Sequence, residues 1–216
     1  MQQKEFSRRD ILKLCLVAGG AVLLTSCQKA VNMDMNASQL RNPDPSNSKM
    51  MELVRYATLA ANGHNTQPWK FKVMDNVIEI HPDTSRCLAV VDPQDREQWM
   101  SLGCALENLV IAAGATGFAS EIFYPGETQG FISVNLKSDT LQTSALFNAI
   151  PVRQSTRTEY RTEKISQDNL AQVYAMTTEP GVGLQFIEGK DEFERVLEYV
   201  NQGNLHQYAD KALSRS

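Results

Sequence analysis

Between Ala60 and Val73 the sequence A-A-N-G-H-N-T-Q-P-W-K-F-K-V changes its period, and that change constrains the fold on both sides of it. Upstream, Met50, Leu53, Val54, Ala57, Ala60 and Ala61 recur at three- and four-residue steps, the spacing of a helix with one apolar face. Downstream, Trp69, Phe71 and Val73 alternate with Lys70 and Lys72, so a half-buried strand follows Pro68. A helix must therefore stop and a strand must start within a few residues. Asn62-Gly63 supplies the stop, because glycine turns at no steric cost. Periodicity does not explain why Asn62, His64, Asn65, Thr66 and Gln67 crowd the loop ahead of a Pro-Trp pair. Asn and Thr side chains that satisfy loop amides in an ordinary helix-to-strand turn would account for part of it.

The remaining elements are mixed. Asp75-Asn76 sits between the strand-like runs Trp69–Met74 and Val77–Ile80, as a hairpin turn would. Asp92 as N-cap, with Pro93 at the first helical position, starts a helix whose broad apolar face carries Trp99, Leu102, Leu106, Leu109, Val110 and Ala113. Gly114 and Gly117 end it. Gly103 lowers its helix propensity by about 1 kcal/mol, which anticipates a close contact there. Glu107 and Asn108 read as helix surface rather than as chemistry. Ile122 with Tyr124, then Ile132, Val134 and Leu136, indicate two more strands, and Leu141–Ile150 a short helix ended by Pro151. Gln167–Thr177 reads as a helix capped by Ser166, and Leu184–Ile187 as a strand after the Pro180-Gly181 turn. A long amphipathic helix from about Asp191 carries Phe193, Val196, Leu197 and Val200 as its core stripe. Together these elements make an α+β fold. Apolar residues at 42% and charged residues at 21% are a globular balance, and a net charge of −4 without a basic block sets nucleic acid aside as a partner.

Residues 1–26 read as an export signal rather than as part of the fold. Ser7-Arg8-Arg9-Asp10-Ile11-Leu12-Lys13 matches the twin-arginine pattern. The uncharged apolar run Leu14–Leu24 has signal length, well short of the ~20 residues of a membrane-spanning helix. Leu24-Thr25-Ser26-Cys27 resembles a lipobox, although an ordinary Cys beside small residues would look the same. With a lipobox, Cys27 becomes the acylated first residue of the mature chain, and its acyl chains anchor the protein stably on the periplasmic side. Gln28 follows Cys27 in place of an inner-membrane retention Asp, which favours the outer membrane. Membrane contact is then through the lipid anchor only. Gln28 to Ser48, with little apolar periodicity, reads as a flexible tether, so residues 27–48 form an anchor and linker. Of four cysteines, Cys87 and Cys104 remain in the mature domain. Neither has a metal-ligand neighbourhood, and they are either paired or two independent buried thiols.

Arg153-Gln154-Ser155-Thr156-Arg157 alternates two guanidiniums with a hydroxyl. In an extended segment all three point to one side and form a fork for a phosphate or a polarised carbonyl. A solvated basic patch beside Glu159 and Glu163 is the alternative. Together with A-x-x-x-N-x-Q-P-W-x-F at residues 61–71, this R-x-S-x-R segment resembles the nitroreductase-like flavoproteins, most nearly a subgroup made of two fused nitroreductase halves. S-L-G-C-A-L-E-N-L from Ser101 also resembles the core helix of that subgroup.

The resemblance implies an FMN-dependent, internally duplicated α+β fold. Residues 49–147 would form the first nitroreductase-like half and 148–216 the start of an incomplete second one, a pseudo-dimer within the full chain. It implies that FMN is held by Asn62, Gly63, His64, Asn65 and Gln67 of the first half. From the second, Arg153 would engage the phosphate, Ser155 would hydrogen-bond nearby, and Arg157 would approach the pyrimidine end of the ring. A cation there stabilises negative charge on the reduced flavin. No side chain is then catalytic in its own right and no metal is required, because the flavin carries the electrons. The loop precedes R-x-S-x-R, and the first half lacks such a segment of its own, since Arg55-Tyr56-Ala57 is no substitute. One flavin site per chain is the consequence. The family's C-terminal strand and Gly-rich flavin loop are not visible before Ser216, so C-terminal truncation is expected. The implied function is an exported oxidoreductase of the nitroreductase-like type, passing electrons through flavin from an unidentified donor to an unidentified small acceptor. Free nicotinamide cofactors are not expected outside the cytoplasm. The alternatives are a flavin store or sensor without turnover, and an envelope lipoprotein with no flavin.

Overall fold

The structure is a computed structural model describing residues 5–6, 41–125, 130–142, 144–156, 158–160, 163–175 and 180–209. The chain divides into two compact units, Met1–Ser155 and Thr156–Ser216.

In the first unit, helix α1 (Lys49–Thr58) starts where the Ser48 hydroxyl accepts from the Met51 amide. It runs into the polar loop, which carries a short 3₁₀ turn at Gly63–Asn65, and then into β2 (Trp69–Val73). The expected hairpin forms: β2 pairs antiparallel with β3 (Val77–Pro82), Phe71 opposite Ile80 and Val73 opposite Ile78, around Asp75-Asn76. Helix α2 (Arg96–Ala115) follows, then β4 (Phe118–Phe123) and β5 (Ile132–Ser138). The sheet is antiparallel throughout, in the order β1-β2-β3-β5-β4, where β1 is Glu5–Phe6. Alternation decides its buried face: Trp69, Phe71, Ile78, Ile80, Ile132, Val134 and Leu136 point inward. They share one core with Leu53, Val54 and Ala57 of α1 and Leu102, Leu106, Leu109 and Ala113 of α2. Asn108 does more than sit on a helix surface, since its amide nitrogen donates to the Tyr56 carbonyl at 3.2 Å and stitches α2 to α1. The short helix α3 (Ala145–Ala149) leads to the buried Ile150.

Several expectations are corrected. Glu5 and Phe6 lie opposite Lys72 and Phe71, so part of the N-terminal stretch joins the sheet that it was expected to stand outside. The outer edge of β2 offers unpaired backbone groups that any extended segment can satisfy. Asp95, not Asp92, immediately precedes α2, in the left-handed conformation. Asp92 still serves the helix start, because a tight turn (Asp95 N to Asp92 O, 3.1 Å) lets its carboxylate accept from the Gln98 amide at 3.0 Å. Trp99 falls in the first turn of α2 and is 43% exposed rather than part of the core face. Cys87 and Cys104 are free thiols on the surface, not buried. Gly103 is exposed, and a Cβ there would meet nothing. Gly103→Ala is accordingly expected to raise the stability of the first unit by about 0.5–1 kcal/mol, read as a higher urea midpoint.

In the second unit, helix α4 (Gln167–Tyr174) begins as expected, with the Ser166 hydroxyl accepting from the Asn169 amide. Helix α5 spans Lys190–Tyr208. The strand expected at Leu184–Ile187 does not form, because the described residues of this unit include no strand to take its backbone hydrogen bonds. Phe193, Val196, Leu197 and Val200 do make one stripe of α5, but all are exposed rather than core. None of the unit's described residues is buried. Among the described residues, no helix is long and apolar enough to cross a membrane.

Candidate functional site

The loop between α1 and β2 is built around unusual backbone. His64, Asn65 and Gln67 all have positive φ, at 49°, 55° and 53°. Asn tolerates the left-handed region well; Gln does so less readily, and each such residue must be held there by its surroundings. Asn62 provides the internal staple: its Oδ1 accepts from the Gln67 amide at 2.9 Å, and its Nδ2 donates to the Ala60 carbonyl at 3.2 Å. The Thr66 hydroxyl donates to the Gly63 carbonyl at 2.9 Å. From outside, the Ser101 hydroxyl of α2 accepts from the Gly63 amide at 3.2 Å, and the Arg86 guanidinium donates to the Thr66 carbonyl at 2.7 Å. Gly63 lies so close to α2 that a Cβ would come within 2.7 Å of the Glu97 carboxylate.

Arg86 is itself held by Asp83, 3.3 Å from its Nε to the carboxylate. Asp83 is buried and also takes Lys70 at 3.2 Å and the Ser85 hydroxyl at 2.6 Å. Burial pushes the Asp83 carboxyl up, but the hydrogen bonds from Ser85 and Lys70 outweigh it and leave it below its ordinary value. Glu79 follows the same balance on the outer sheet face. Its burial is outweighed by His81 at 2.9 Å and Lys72 at 3.0 Å, and its carboxyl too is lowered. A lowered folded-state carboxylate stabilises the fold at pH values above its unfolded value, and that contribution disappears as pH falls through the folded one. The first unit is thus expected to lose stability below about pH 4, and Asp83→Asn to blunt that loss while lowering stability at neutral pH. Urea midpoints at pH 7 and pH 3 for both proteins check this, and parallel losses in the two would show that Asp83 plays no part.

The site residues fall into two groups. Asn62 and Gly63 are engaged inside the loop and hold its shape. His64 and Asn65 are exposed and Gln67 half-buried, with Gln67 Nε2 3.3 Å from Asn65 Oδ1, so these three face outward. Arg153 comes to the same neighbourhood despite its distance in sequence. Its Nη2 donates to the Leu59 carbonyl at 2.9 Å, at the C-terminal end of α1 just ahead of the loop. Ser155 is exposed; Arg157 and Cys27 lie outside the described residues. Behind the loop, a cavity lined by Gly63, Thr66, Arg86, Gln98 and Ser101 measures about 10 Å³, room for roughly one water. Partial desolvation and the Asp95 carboxylate push the Cys87 thiol up, so it is no activated nucleophile. No cluster of potential metal ligands occurs among the described residues. Sequence reasoning missed Ser101, Arg86, Asp83 and Arg41. Only Asp83 had a local signal, as a capping Asp before Ser85.

These observations define a mixed α/β domain with a small antiparallel sheet and a braced loop presenting amide and imidazole side chains. No family model matches the sequence. Two Mycobacterium tuberculosis proteins named provisionally as NAD(P)H nitroreductases, Rv3131 of strain H37Rv and MT3217 of strain CDC 1551, are each 25% identical over 158 residues. That match covers 71% of this chain and 46% of each relative. The acg protein of the same organism, given the same provisional activity, is 29% identical over 69 residues, 32% of this chain and 21% of its own. The chain spans about half the length of the curated relatives it matches. It is a distant relative of proteins named as nitroreductases, and its architecture is compatible with a nitroreductase-like fold.

Proposed function

We propose that this chain is part of an exported, FMN-dependent oxidoreductase of the nitroreductase type that passes electrons to a small acceptor. The observation that carries this is the loop: three left-handed non-glycine residues, braced from four directions, turn Asn65 and Gln67 outward next to the Arg153 anchor point. Strain of that kind persists only where surroundings enforce it, and it concentrates at ligand sites. The donor set suits FMN. Amide side chains can both donate to and accept from the alternating polar edge of the ring, and among the described residues Arg153 uses one guanidinium donor, on Leu59, leaving others for a phosphate. In this reading His64, Asn65 and Gln67 hold the ring, Arg153 and Ser155 the phosphate, and Arg157 the reduced ring's charge. Bound flavin supplies the redox chemistry, and the protein supplies position and electrostatics. The names of the distant relatives support the same reaction class. The internal duplication, with one flavin site shared by two halves, belongs to this proposal.

The direct test is to purify the full chain, record its visible spectrum, and titrate it with FMN by fluorescence. Saturable quenching followed by reduction on adding a donor supports the oxidoreductase. Binding without reduction would point to a store or sensor, and no binding would end the flavin reading. Export is tested separately. Arg8→Lys with Arg9→Lys is expected to trap the precursor in the cytoplasm, and Cys27→Ala to leave an unlipidated form, both read by fractionation and mass spectrometry. An unmodified mature N-terminus elsewhere would remove the lipid anchor from the proposal.

A further inference from the structure

Arg41, in the stretch expected to be a flexible tether, is placed in the structure as a brace. Its Nη1 donates to two backbone carbonyls far along the chain, that of Pro151 and that of Arg153, the latter at 2.9 Å. The amides of Val152 and Arg153 meanwhile both donate to the Ala149 carbonyl, at 3.1 and 2.8 Å. Ile150, between them in the chain, is buried in the core. The segment from Ala149 to Arg153 is therefore held from both sides, its amides by the end of α3 and its carbonyls by one guanidinium. The Arg153 side chain leaves from that clamped backbone. The same stretch is tied down nearby, where Glu52 Oε1 accepts from the Asp44 amide at 3.2 Å and from Asn47 Nδ2 at 2.8 Å.

We propose that Arg41 is a positioning residue for Arg153: it fixes the backbone at Pro151–Arg153 so that the Arg153 guanidinium is presented to the phosphate of the bound cofactor. This rests on the flavin reading above. Arg41 does not itself touch the ligand. A charge-assisted hydrogen bond to each carbonyl holds the segment more firmly than water would, and a guanidinium misplaced by about 1 Å loses most of a directional phosphate contact. The tether and the cofactor site are then mechanically joined at one side chain.

Two measurements on the full chain separate this inference from the flavin reading. The first needs no ligand: amide exchange by mass spectrometry over residues 149–155. Arg41→Gln is expected to speed exchange there about tenfold, the scale of losing one or two hydrogen bonds, with exchange in β3 and β5 unchanged. The second is titration with FMN and with riboflavin, which lacks the phosphate. Arg41→Gln is expected to weaken FMN about five- to tenfold and riboflavin not at all. Arg41→Lys should recover part of the loss, and Arg41→Gln combined with Arg153→Ala should be no weaker than Arg153→Ala alone. Unchanged exchange over residues 149–155 would overturn the proposal whatever the flavin result. So would an FMN affinity that Arg41→Gln leaves intact but Arg153→Ala lowers, or equal losses for FMN and riboflavin. If the unaltered chain takes up neither flavin, the functional reading fails and the ligand role of Arg41 fails with it, even where exchange shows that the clamp is real.

Discussion

Trp69→Ala is expected to remove about 3–5 kcal/mol from the stability of the first unit, as for other large buried aromatics. Trp69 is 1% exposed and opens β2 immediately after the polar loop, so it packs the sheet against the two helices where the loop must be rooted. Domains of this size have about 5–15 kcal/mol in total, so the variant would sit close to unfolding at room temperature. Urea denaturation followed by circular dichroism measures the effect, since the buried one of the two tryptophans is lost and the exposed Trp99 remains. Trp69→Phe separates volume from polarity. The indole N–H is buried and has no hydrogen-bond partner among the described residues, so removing it leaves no acceptor unsatisfied. Trp69→Phe should therefore cost only about 1–2 kcal/mol, the loss of packed volume. A loss for Trp69→Phe well above this, about 1–3 kcal/mol more, would mean that the N–H has a partner after all, such as a bound water.

Arg153→Ala is expected to weaken FMN binding by ten- to a hundred-fold while barely moving the unfolding midpoint. The asymmetry follows from where the side chain sits. Its side-chain hydrogen bond to Leu59 is solvent-exposed, and exposed contacts of this kind contribute about 0–1 kcal/mol. A charge-assisted bond to a phosphate contributes about 1.5–3 kcal/mol. Arg153→Lys should fall between, because an ammonium keeps the charge but not the planar fork. Riboflavin is the control ligand: without a phosphate, it should bind wild type and Arg153→Ala alike. Equal FMN affinity in the two proteins would make Arg153 a helix-capping surface charge, and the phosphate assignment would fall.

The candidate loop shows how unevenly a site is written in a sequence. Its position was legible, because the period changes from helix to strand between Ala61 and Trp69 and Asn62-Gly63 marks the stop. Its polar crowding marked it as unusual. The division of labour within it was not legible. Asn62 and Asn65 are the same residue type three positions apart, yet one staples the loop from inside and the other faces solvent. That difference comes from the backbone: Asn62 is extended, whereas Asn65 is left-handed, and only the folded loop assigns those conformations.

What the sequence determined by itself is what neighbouring residues can settle among themselves. Alternation along Trp69–Val73 chose the buried face of β2, the Asp75-Asn76 pair made the hairpin, and Ser166 capped α4, each through contacts a few residues apart. The tertiary structure decided whatever needed a distant partner. Leu184–Ile187 has strand-like residues but no strand beside it among the described residues, and an unpaired strand leaves its backbone hydrogen bonds unmade. Gly103 looked like a contact point and faces open solvent, because the rotation of α2 about its axis is set by Leu102, Leu106 and Leu109 seeking the core. Arg41 carries no local signal at all. Its role exists only because folding brings the carbonyls of Pro151 and Arg153 within reach of one guanidinium, and no pattern in nearby residues encodes that meeting.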